Sequence, residues 1–219
     1  MSKRLQVLGA SEHLICIIVD LLKRNALDYD LILQRNLNLE FKPAVPVKDI
    51  TISVAEPFSK PDESDPVIFG VSGAKNKIPV FEYYLDNFGI TKDKYFRLID
   101  KSFQIADSSI IGMGAFVEEN VVVSAQTRIG FGVSLKRTVS IGHHCKIGDF
   151  VDINPGAIIA GKVSIGNGTT IGMGAKVIDN ITIGRNCIIG AGSLVTKDIP
   201  DNSVAYGVPS KIIRENIIA

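Results

Sequence analysis

The sequence has no tryptophan and only three histidines and three cysteines among its 219 residues, and its charges nearly cancel to a net +1. An odd, widely scattered set of cysteines gives neither a disulfide framework nor a zinc-ligand spacing. The near-zero net charge offers no electrostatic basis for binding nucleic acid or an anionic membrane. Hydrophobic residues nevertheless make up 46% of the chain, which is enough to bury a large core.

Long apolar runs are also missing. The most apolar stretch, LICIIVDLL at 14–22, contains an aspartate and is far too short to span a bilayer. The first residues lack the basic, apolar and cleavage-site regions of a signal peptide. We therefore expect a cytoplasmic protein without membrane insertion.

The second half of the chain carries an aliphatic residue at every sixth position from Ile105 to Val195. A six-residue register without a slip is typical of a parallel β-helix, in which each hexapeptide forms one short strand and a turn. Three hexapeptides make an 18-residue coil. We predict a left-handed prism of five coils, roughly 24 Å tall at about 4.8 Å per coil. Glycine often follows the aliphatic residue, which suggests unusual turn dihedrals there. Cys145 and Cys187 fall on small, inward-facing positions.

The first hundred residues have a different pattern, so we divide the chain into 1–100 and 101–219. RLQVLGA, LICIIVDLLKRN and DYDLILQ predict a strand, a helix and a strand, which form a right-handed βαβ unit. PVIFGVSG predicts a third strand, IPVFEYYLDNFGI a helix ended by Gly89, and YFRLID a fourth strand leading into the prism. Such Rossmann-like sheets bind ligands at the carboxyl ends of their strands. The candidates there are Ser11, Glu12, His13, Gln34, Arg35, Ser72 and Gly73.

Two adjacent histidines interrupt the repeat in SIGHHCKIGDF at 140–150. His143 and Gly161 are one coil apart in sequence, so they should stack on one edge with backbones roughly 5 Å apart. Histidine suits a general base near neutral pH, and a glycine in a turn can offer its backbone N–H to an oxyanion. Because Cys145 faces the core and no serine stands beside His143, we expect direct attack without an acyl-enzyme.

Three motifs together, GASEH at 9–13, IGHHCKIGDF at 141–150 and GVPSK at 207–211, resemble one family over nearly the whole chain. It is the sugar acetyltransferase family that includes bacillosamine-type N-acetyltransferases and sialic acid O-acetyltransferases. The resemblance implies a homotrimer with acetyl-CoA between adjacent prisms, no metal, and an α/β domain that holds the nucleotide of a nucleotide-linked amino-deoxysugar. His143 matches the family's catalytic position. The positions matched to acetyl-CoA contacts are Asp152, Gly161, Met173, Gly174, Ala191, Gly192, Pro209 and Lys211.

The sequence departs from the family at three places. His144 stands where the family has an acidic residue that raises the basicity of the catalytic imidazole, and a histidine does not supply that charge. We expect Asp149 or Asp152, of the same or the neighbouring subunit, to serve instead, with His144 structural or positioning the acceptor. Glu12 replaces a glycine near the nucleotide phosphates. Gln34 and Arg35 replace an acidic pair near the base, which leaves a uridine, thymidine or guanosine carrier open.

Other functions remain open from the sequence. A hydroxyl acceptor would make the protein an O-acetyltransferase, although the missing acidic partner favours the more nucleophilic amine. A non-enzymatic nucleotide-sugar-binding scaffold is the alternative that His144, Asp152 and Glu12 support. A γ-type carbonic anhydrase would need three histidines around zinc, and the prism has two. The resemblance alone suggests a role in surface glycan synthesis.

Overall fold

The computed structural model describes residues 3–9, 11–34, 50–56 and 59–217. Its N-terminal part is a four-stranded parallel sheet with strand order β3-β2-β1-β4. Two helices accompany the sheet, and neither is long and apolar enough to cross a membrane. In chain order these elements are β1 (Lys3–Leu8), α1 (Glu12–Arg24), β2 (Tyr29–Gln34), β3 (Ile52–Val54), β4 (Val67–Phe69) and α2 (Ala74–Phe88).

The predicted βαβ unit is present, with one apolar face of α1 buried on the sheet. Two details differ from the prediction. Helix α2 begins at Ala74, ahead of the predicted start at Ile78, with the N–H groups of Asn76 and Lys77 bonded to the carbonyl of Gly73, and it includes Pro79. The segment YFRLID adds no full strand to this sheet. The fourth strand of the sheet is instead β3, which pairs with β2. Within YFRLID, Tyr95 makes one isolated bridge to β4.

Short two-residue strands then wind into the left-handed β-helix, with a single 3-10 turn (Lys92–Lys94) before the first of them. These strands are β5 (Leu98–Ile99), β6 (Gln104–Ile105), β7 (Ile110–Ile111), β8 (Phe116–Val117), β9 (Val122–Val123), β10 (Arg128–Ile129), β11 (Ser134–Leu135), β12 (Ser140–Ile141), β13 (Lys146–Ile147), β14 (Asp152–Ile153), β15 (Ile158–Ile159), β16 (Ser164–Ile165), β17 (Thr170–Ile171), β18 (Lys176–Val177), β19 (Thr182–Ile183), β20 (Ile188–Ile189) and β21 (Leu194–Val195).

The prism strands stack into three parallel faces. Face 1 contains β7, β10, β13, β16 and β19, and face 3 contains β6, β9, β12, β15, β18 and β21. Face 2 contains β5, β8, β11, β14, β17 and β20, and it is extended by a hairpin of β22 (Ser203–Gly207) and β23 (Ser210–Glu215). The repeat therefore starts one hexapeptide earlier than predicted, at β5.

The second residue of each strand points into the prism and forms its core. Cys145 and Cys187 are fully buried there, as their register predicts. The glycines that follow the inward residues have a different role from the one expected. None adopts the left-handed conformation, but a Cβ atom on Gly142 would lie 2.6 Å from the carbonyl carbon of Ala160 in the next coil. The left-handed residue comes two positions later, for example at His144 with φ 59°.

The α/β domain is docked on face 2 of the prism. An aromatic cluster of Phe69, Phe81, Tyr95, Phe131 and Phe150 joins them, with ring centroids 4.6–6.2 Å apart. Phe131 and Phe150 come from the prism, so the two units share one core. This contact fixes the α/β domain against face 2, opposite the edge between face 3 and face 1.

Candidate functional site

The histidine edge is the row of turns between face 3 and face 1, including residues 142–145 and 160–163. It carries His143 and His144 in one turn and Gly161 in the next coil. A Cβ atom added to Gly161 would lie 2.7 Å from both Cε1 and Nε2 of His143. The exposed imidazole therefore rests on the Cα of Gly161, and the structure brings together the two residues that the 18-residue spacing predicts to stack.

The backbone N–H of Gly161 has no acceptor in the part of the chain that the structure describes. On the edge between face 1 and face 2, side chains from the next coil accept three of the equivalent N–H groups. Phe131 donates to Asp149 Oδ1 at 2.8 Å, and the N–H groups of Asp149 and Arg185 donate to Asn167 and Asp201 in the same way. On the histidine edge the corresponding side chain is Asp179, which instead accepts from Asn180. The histidine edge thus places an open N–H donor beside an imidazole.

The carboxylates expected to assist His143 lie elsewhere in the chain. Asp149 is at the edge between face 1 and face 2, where its Oδ2 is 2.7 Å from Lys92 Nζ. Asp152 is on face 2, only 5% exposed, with Oδ1 3.0 Å from Lys77 Nζ. Neither carboxylate lies on the histidine edge of its own chain, and the burial of Asp152 beside Lys77 contradicts the acetyl-CoA contact expected there. Its outward-facing strand position is covered by α2, so the carboxylate is buried between the two domains.

The group that does contact His143 is His144. Its Nδ1 lies 3.0 Å from Nδ1 of His143, and the two rings are nearly perpendicular at 88°. One Nδ1 must carry the hydrogen and the other must accept it. Sequence reasoning missed this contact because adjacent side chains on a strand point to opposite sides, whereas a left-handed residue in a turn brings them together.

A second group of predicted residues gathers on the Met173 edge, the turns between face 2 and face 3 at 172–175 and 190–193. Met173 is 61% exposed, and its carbonyl accepts the N–H of Gly192 at 2.8 Å. The C-terminal hairpin, which presents exposed Pro209 and Lys211, joins this edge through a bond from Gly207 N–H to Ser193 Oγ. All the residues matched to the pantetheine arm and the CoA end therefore share one edge, with Gly174 and Ala191 in the same two turns.

The predicted nucleotide loops converge at the carboxyl edge of the α/β sheet. The N–H of Gly9 bonds to the carbonyl of Gln34, and the N–H of Ser11 bonds to that of Gly70. Ser11 Oγ also lies 2.8 Å from Nδ1 of His13. Ser72 and Gly73 form the turn from β4 into α2. The ends of three strands are thus held together, as a shared ligand site requires.

Two residues of this set fit the prediction less well. The Gln34 side chain is 3% exposed and bonds to Gln6 Oε1 and Ser59 Oγ, so it is not open to a ligand. Glu12 is exposed in the first turn of α1, where the positive end of the helix stabilises a carboxylate without a nucleotide. Arg35 lies outside the described residues.

A cleft of about 310 Å³ opens between α2 and face 2. Gly73 and Lys75 line one side, and Thr170 and Ile188 line the other. The cleft begins at the predicted nucleotide loop, so it offers that loop a space against the prism.

A basic surface on face 1 was not predicted. Arg128 and Lys146 occupy the same outward position in consecutive coils, and Arg185 lies nearby in an ion pair with Asp201. Face 1 borders the histidine edge. The signal was present in the sequence as two cations 18 residues apart, but it is visible only when outward positions are read coil by coil.

Among the described residues, no group of three or more His, Cys, Asp or Glu is arranged to hold a metal ion.

The fold is a hexapeptide-repeat β-helix joined to an α/β domain. A family model described as bacterial transferase hexapeptide (six repeats) matches residues 162–197. No curated protein matches the chain in sequence. The resemblance noted in the sequence is therefore supported by the repeat itself, and the solved structures extend it to the whole fold.

Three solved structures illustrate the likeness. A mutant of perosamine N-acetyltransferase from Caulobacter crescentus in complex with CoA and GDP-perosamine is 21% identical, with a TM-score of 0.76 and coverage of 98% of both chains. The acetyltransferase domain of PglB from Neisseria gonorrhoeae FA1090 with acetyl coenzyme A is 21% identical, at TM-score 0.78, covering 97% of this chain and 100% of that one. WeeI from Acinetobacter baumannii AYE is 18% identical, at TM-score 0.74, with coverage of 97% and 100%. At these identities the likeness establishes the shared two-part fold.

Proposed function

We propose that the protein is an acetyl-CoA-dependent N-acetyltransferase that acts on the amino group of a nucleotide-linked amino-deoxysugar, such as a 4-amino-4,6-dideoxyhexose. The observation that carries the proposal is the imidazole of His143 resting on Gly161, whose N–H is open. The similar folds crystallised with CoA or acetyl coenzyme A, one of them with GDP-perosamine, support the choice of donor and acceptor.

The reaction uses these two groups in one step. The sugar amine attacks the thioester carbonyl, the developing oxyanion accepts a hydrogen bond from Gly161 N–H, and His143 Nε2 takes the amine proton. The C–N bond forms as the C–S bond breaks, and the CoA thiolate leaves. A general base typically contributes about 10²- to 10⁴-fold, and a single oxyanion donor about 10²- to 10³-fold.

We propose that the active unit is a homotrimer. In one chain, the histidine edge and the Met173 edge are separated by the whole of face 3. A thioester that lies against His143 while its pantetheine arm follows Met173 needs these edges from two different prisms. Face 3 exposes apolar side chains, with Val122 at 42% and Ile158 at 46%, which favours association there. Light scattering that shows a monomer at micromolar concentration would contradict this assembly.

The basic surface on face 1 and the cleft at Gly73 fit the charged parts of the two substrates. Arg128 and Lys146 offer positive charge beside the histidine edge for the phosphates of acetyl-CoA. The cleft offers the nucleotide sugar a path from the α/β domain to the prism. The protein is accordingly expected to act in the cytoplasm, where both substrates are made, and in surface glycan synthesis.

The test is release of free CoA from acetyl-CoA, with and without a panel of UDP-, dTDP- and GDP-linked 4-amino-4,6-dideoxysugars. Wild type is compared with His143→Ala and with Lys101→Ala, an exposed change at the start of the prism. Release that depends on one amino sugar and falls at least 10²-fold in His143→Ala alone is expected. Faster release with the matching hydroxyl sugar would indicate an O-acetyltransferase. Nucleotide-sugar binding without any release would indicate a scaffold.

A further inference from the structure

His143 and His144 form a linked pair in which one hydrogen atom decides the state of both rings. The two Nδ1 atoms are 3.0 Å apart, within hydrogen-bonding distance. When both rings are neutral, one Nδ1 donates and the other accepts. The tautomer of each histidine is therefore fixed by the other, since the bond made by one ring nitrogen determines which nitrogen carries the proton.

The backbone holds this pair in place from both neighbouring coils. The N–H of His144 bonds to the carbonyl of Ala125 at 2.9 Å, and the carbonyl of His143 accepts the N–H of Lys162 at 2.7 Å. His144 has φ 59°, a left-handed conformation that histidine, asparagine and aspartate adopt more readily than most residues. Position 144 thus accepts a small set of polar side chains without backbone strain.

One of the two tautomer pairs is the one that the proposed reaction needs. Nε2 of His143 lies against Gly161, and in the described part of the chain it has no hydrogen-bond partner. A protonated Nε2 would place a second N–H donor beside the open Gly161 N–H. An unprotonated Nε2 places a lone pair there instead, which is the form that takes a proton from an amine.

We propose that His144 is a positioning residue that accepts the Nδ1–H of His143 and so keeps Nε2 of His143 unprotonated above Gly161. This deepens the proposed function and rests on it for its catalytic meaning. When the amine proton reaches Nε2, His143 becomes an imidazolium that still donates to His144. The proton then passes to the departing CoA thiolate, which restores the starting tautomer.

The arrangement explains how the chain works without the acidic residue that related sequences carry at position 144. A neutral histidine fixes orientation and tautomer as a carboxylate does, but it adds no negative charge to stabilise the imidazolium. We therefore expect His144→Asp to be at least as fast as wild type. His144→Asn should retain most of the rate because its side-chain oxygen is still an acceptor, and His144→Ala should lose it.

The tautomer is tested directly by ¹⁵N NMR of the full-length protein at about pH 8, where an ordinary histidine is neutral. The chain has only three histidines, and His13, whose ring bonds to Ser11, serves as the internal reference. We expect His143 to carry its proton on Nδ1 in wild type and to become a tautomer mixture in His144→Ala. The His13 signals should not change. A wild-type His143 protonated on Nε2 would overturn the proposal.

Steady-state kinetics distinguish a positioning role of His144 from a folding defect of its variants. We expect His144→Ala to lower kcat on the order of 10²-fold with KM for acetyl-CoA unchanged, and His144→Asn to restore most of kcat. An alanine variant with wild-type kcat, or an asparagine variant as slow as alanine, would overturn the proposal. If the Nδ1–H tautomer is found but no sugar supports CoA release, the pair stands as described and the proposed function fails.

Discussion

The buried ion pair between Lys77 and Asp152 should be one of the main contacts that hold the two domains together. Lys77 is 2% exposed, and its Nζ donates to Asp152 Oδ1, Ser134 Oγ and the carbonyl of Gly132, all on the prism. Burial lowers the pKa of Lys77, and the carboxylate of Asp152 opposes that shift. The carboxylate therefore keeps the ammonium charged where no water reaches it.

Removing one partner of a buried pair typically costs about 3–5 kcal/mol, because the other charge stays buried without compensation. For a chain of this length, that corresponds to a fall in Tm of roughly 6–20 °C. We expect this for Lys77→Met and, at neutral pH, for Asp152→Asn. The double variant Lys77→Met/Asp152→Leu should recover most of the loss, since well-packed apolar replacements of such pairs are often neutral.

The stability of the Asp152→Asn variant should increase with pH. In Asp152→Asn the pKa of Lys77 in the folded state falls further below that of the unfolded chain, so the unfolded state binds more protons and stability rises with pH. The deficit relative to wild type should narrow as the pH rises above neutral toward the ordinary lysine pKa of about 10.4. The assay is calorimetric unfolding of all four proteins, with KM for acetyl-CoA measured alongside. An Asp152→Asn variant of wild-type stability but raised KM would refute this account and restore Asp152 as a cofactor contact.

Three further results are expected. Gly161→Ala should fold normally and lose at least 10²-fold in kcat, because its methyl group displaces the His143 ring, whereas Gly142→Ala should unfold at lower temperature, because its methyl group meets backbone 2.6 Å away. Burial raises the pKa of Asp100, but hydrogen bonds from Ser102 and the charge of Arg24 outweigh it, so the pKa is lowered. The ionised carboxylate therefore stabilises the fold at pH values above the ordinary aspartate pKa, and this stabilisation is lost as the pH falls through the lowered pKa. Asp100→Asn should remove this part of the acid destabilisation, measured by unfolding as a function of pH. A native thiol titration should label Cys16 alone, because Cys16 is partly exposed whereas Cys145 and Cys187 are fully buried in the core of the prism.

The repeat was predictable because it depends on local register. Every inward aliphatic from Ile105 to Val195 follows from counting sixes, and the meeting of His143 with Gly161 follows from counting one coil. Asp152 could not be placed in this way. Its register makes it an outward residue, and only the docking of α2 on face 2, a contact between distant parts of the chain, turns that outward position into a buried one.

The other differences between prediction and structure also arise from features that the local register does not contain. The His143–His144 bond depends on a left-handed turn residue, which a strand-based count does not contain. The role of the turn glycines was misjudged because crowding from the next coil, rather than φ, excludes a side chain there. In the α/β domain, β3 lies within DITISVAE at 49–56, a strand-like stretch in a segment rich in proline and charge, but its pairing with β2 is a contact between distant residues that no local pattern specifies.

The docking of the α/β domain along face 2 of the prism has a consequence for how the chain can change in length. The chain advances one face per hexapeptide, so the number of residues between β5 and His143 decides which edge carries the imidazole. Six extra residues would rotate the histidines to a neighbouring edge, away from their present place relative to the nucleotide loops. Eighteen would leave their angular position unchanged and move them about 4.8 Å along the axis. Only insertions of whole coils therefore keep the histidines on the same edge relative to the α/β domain.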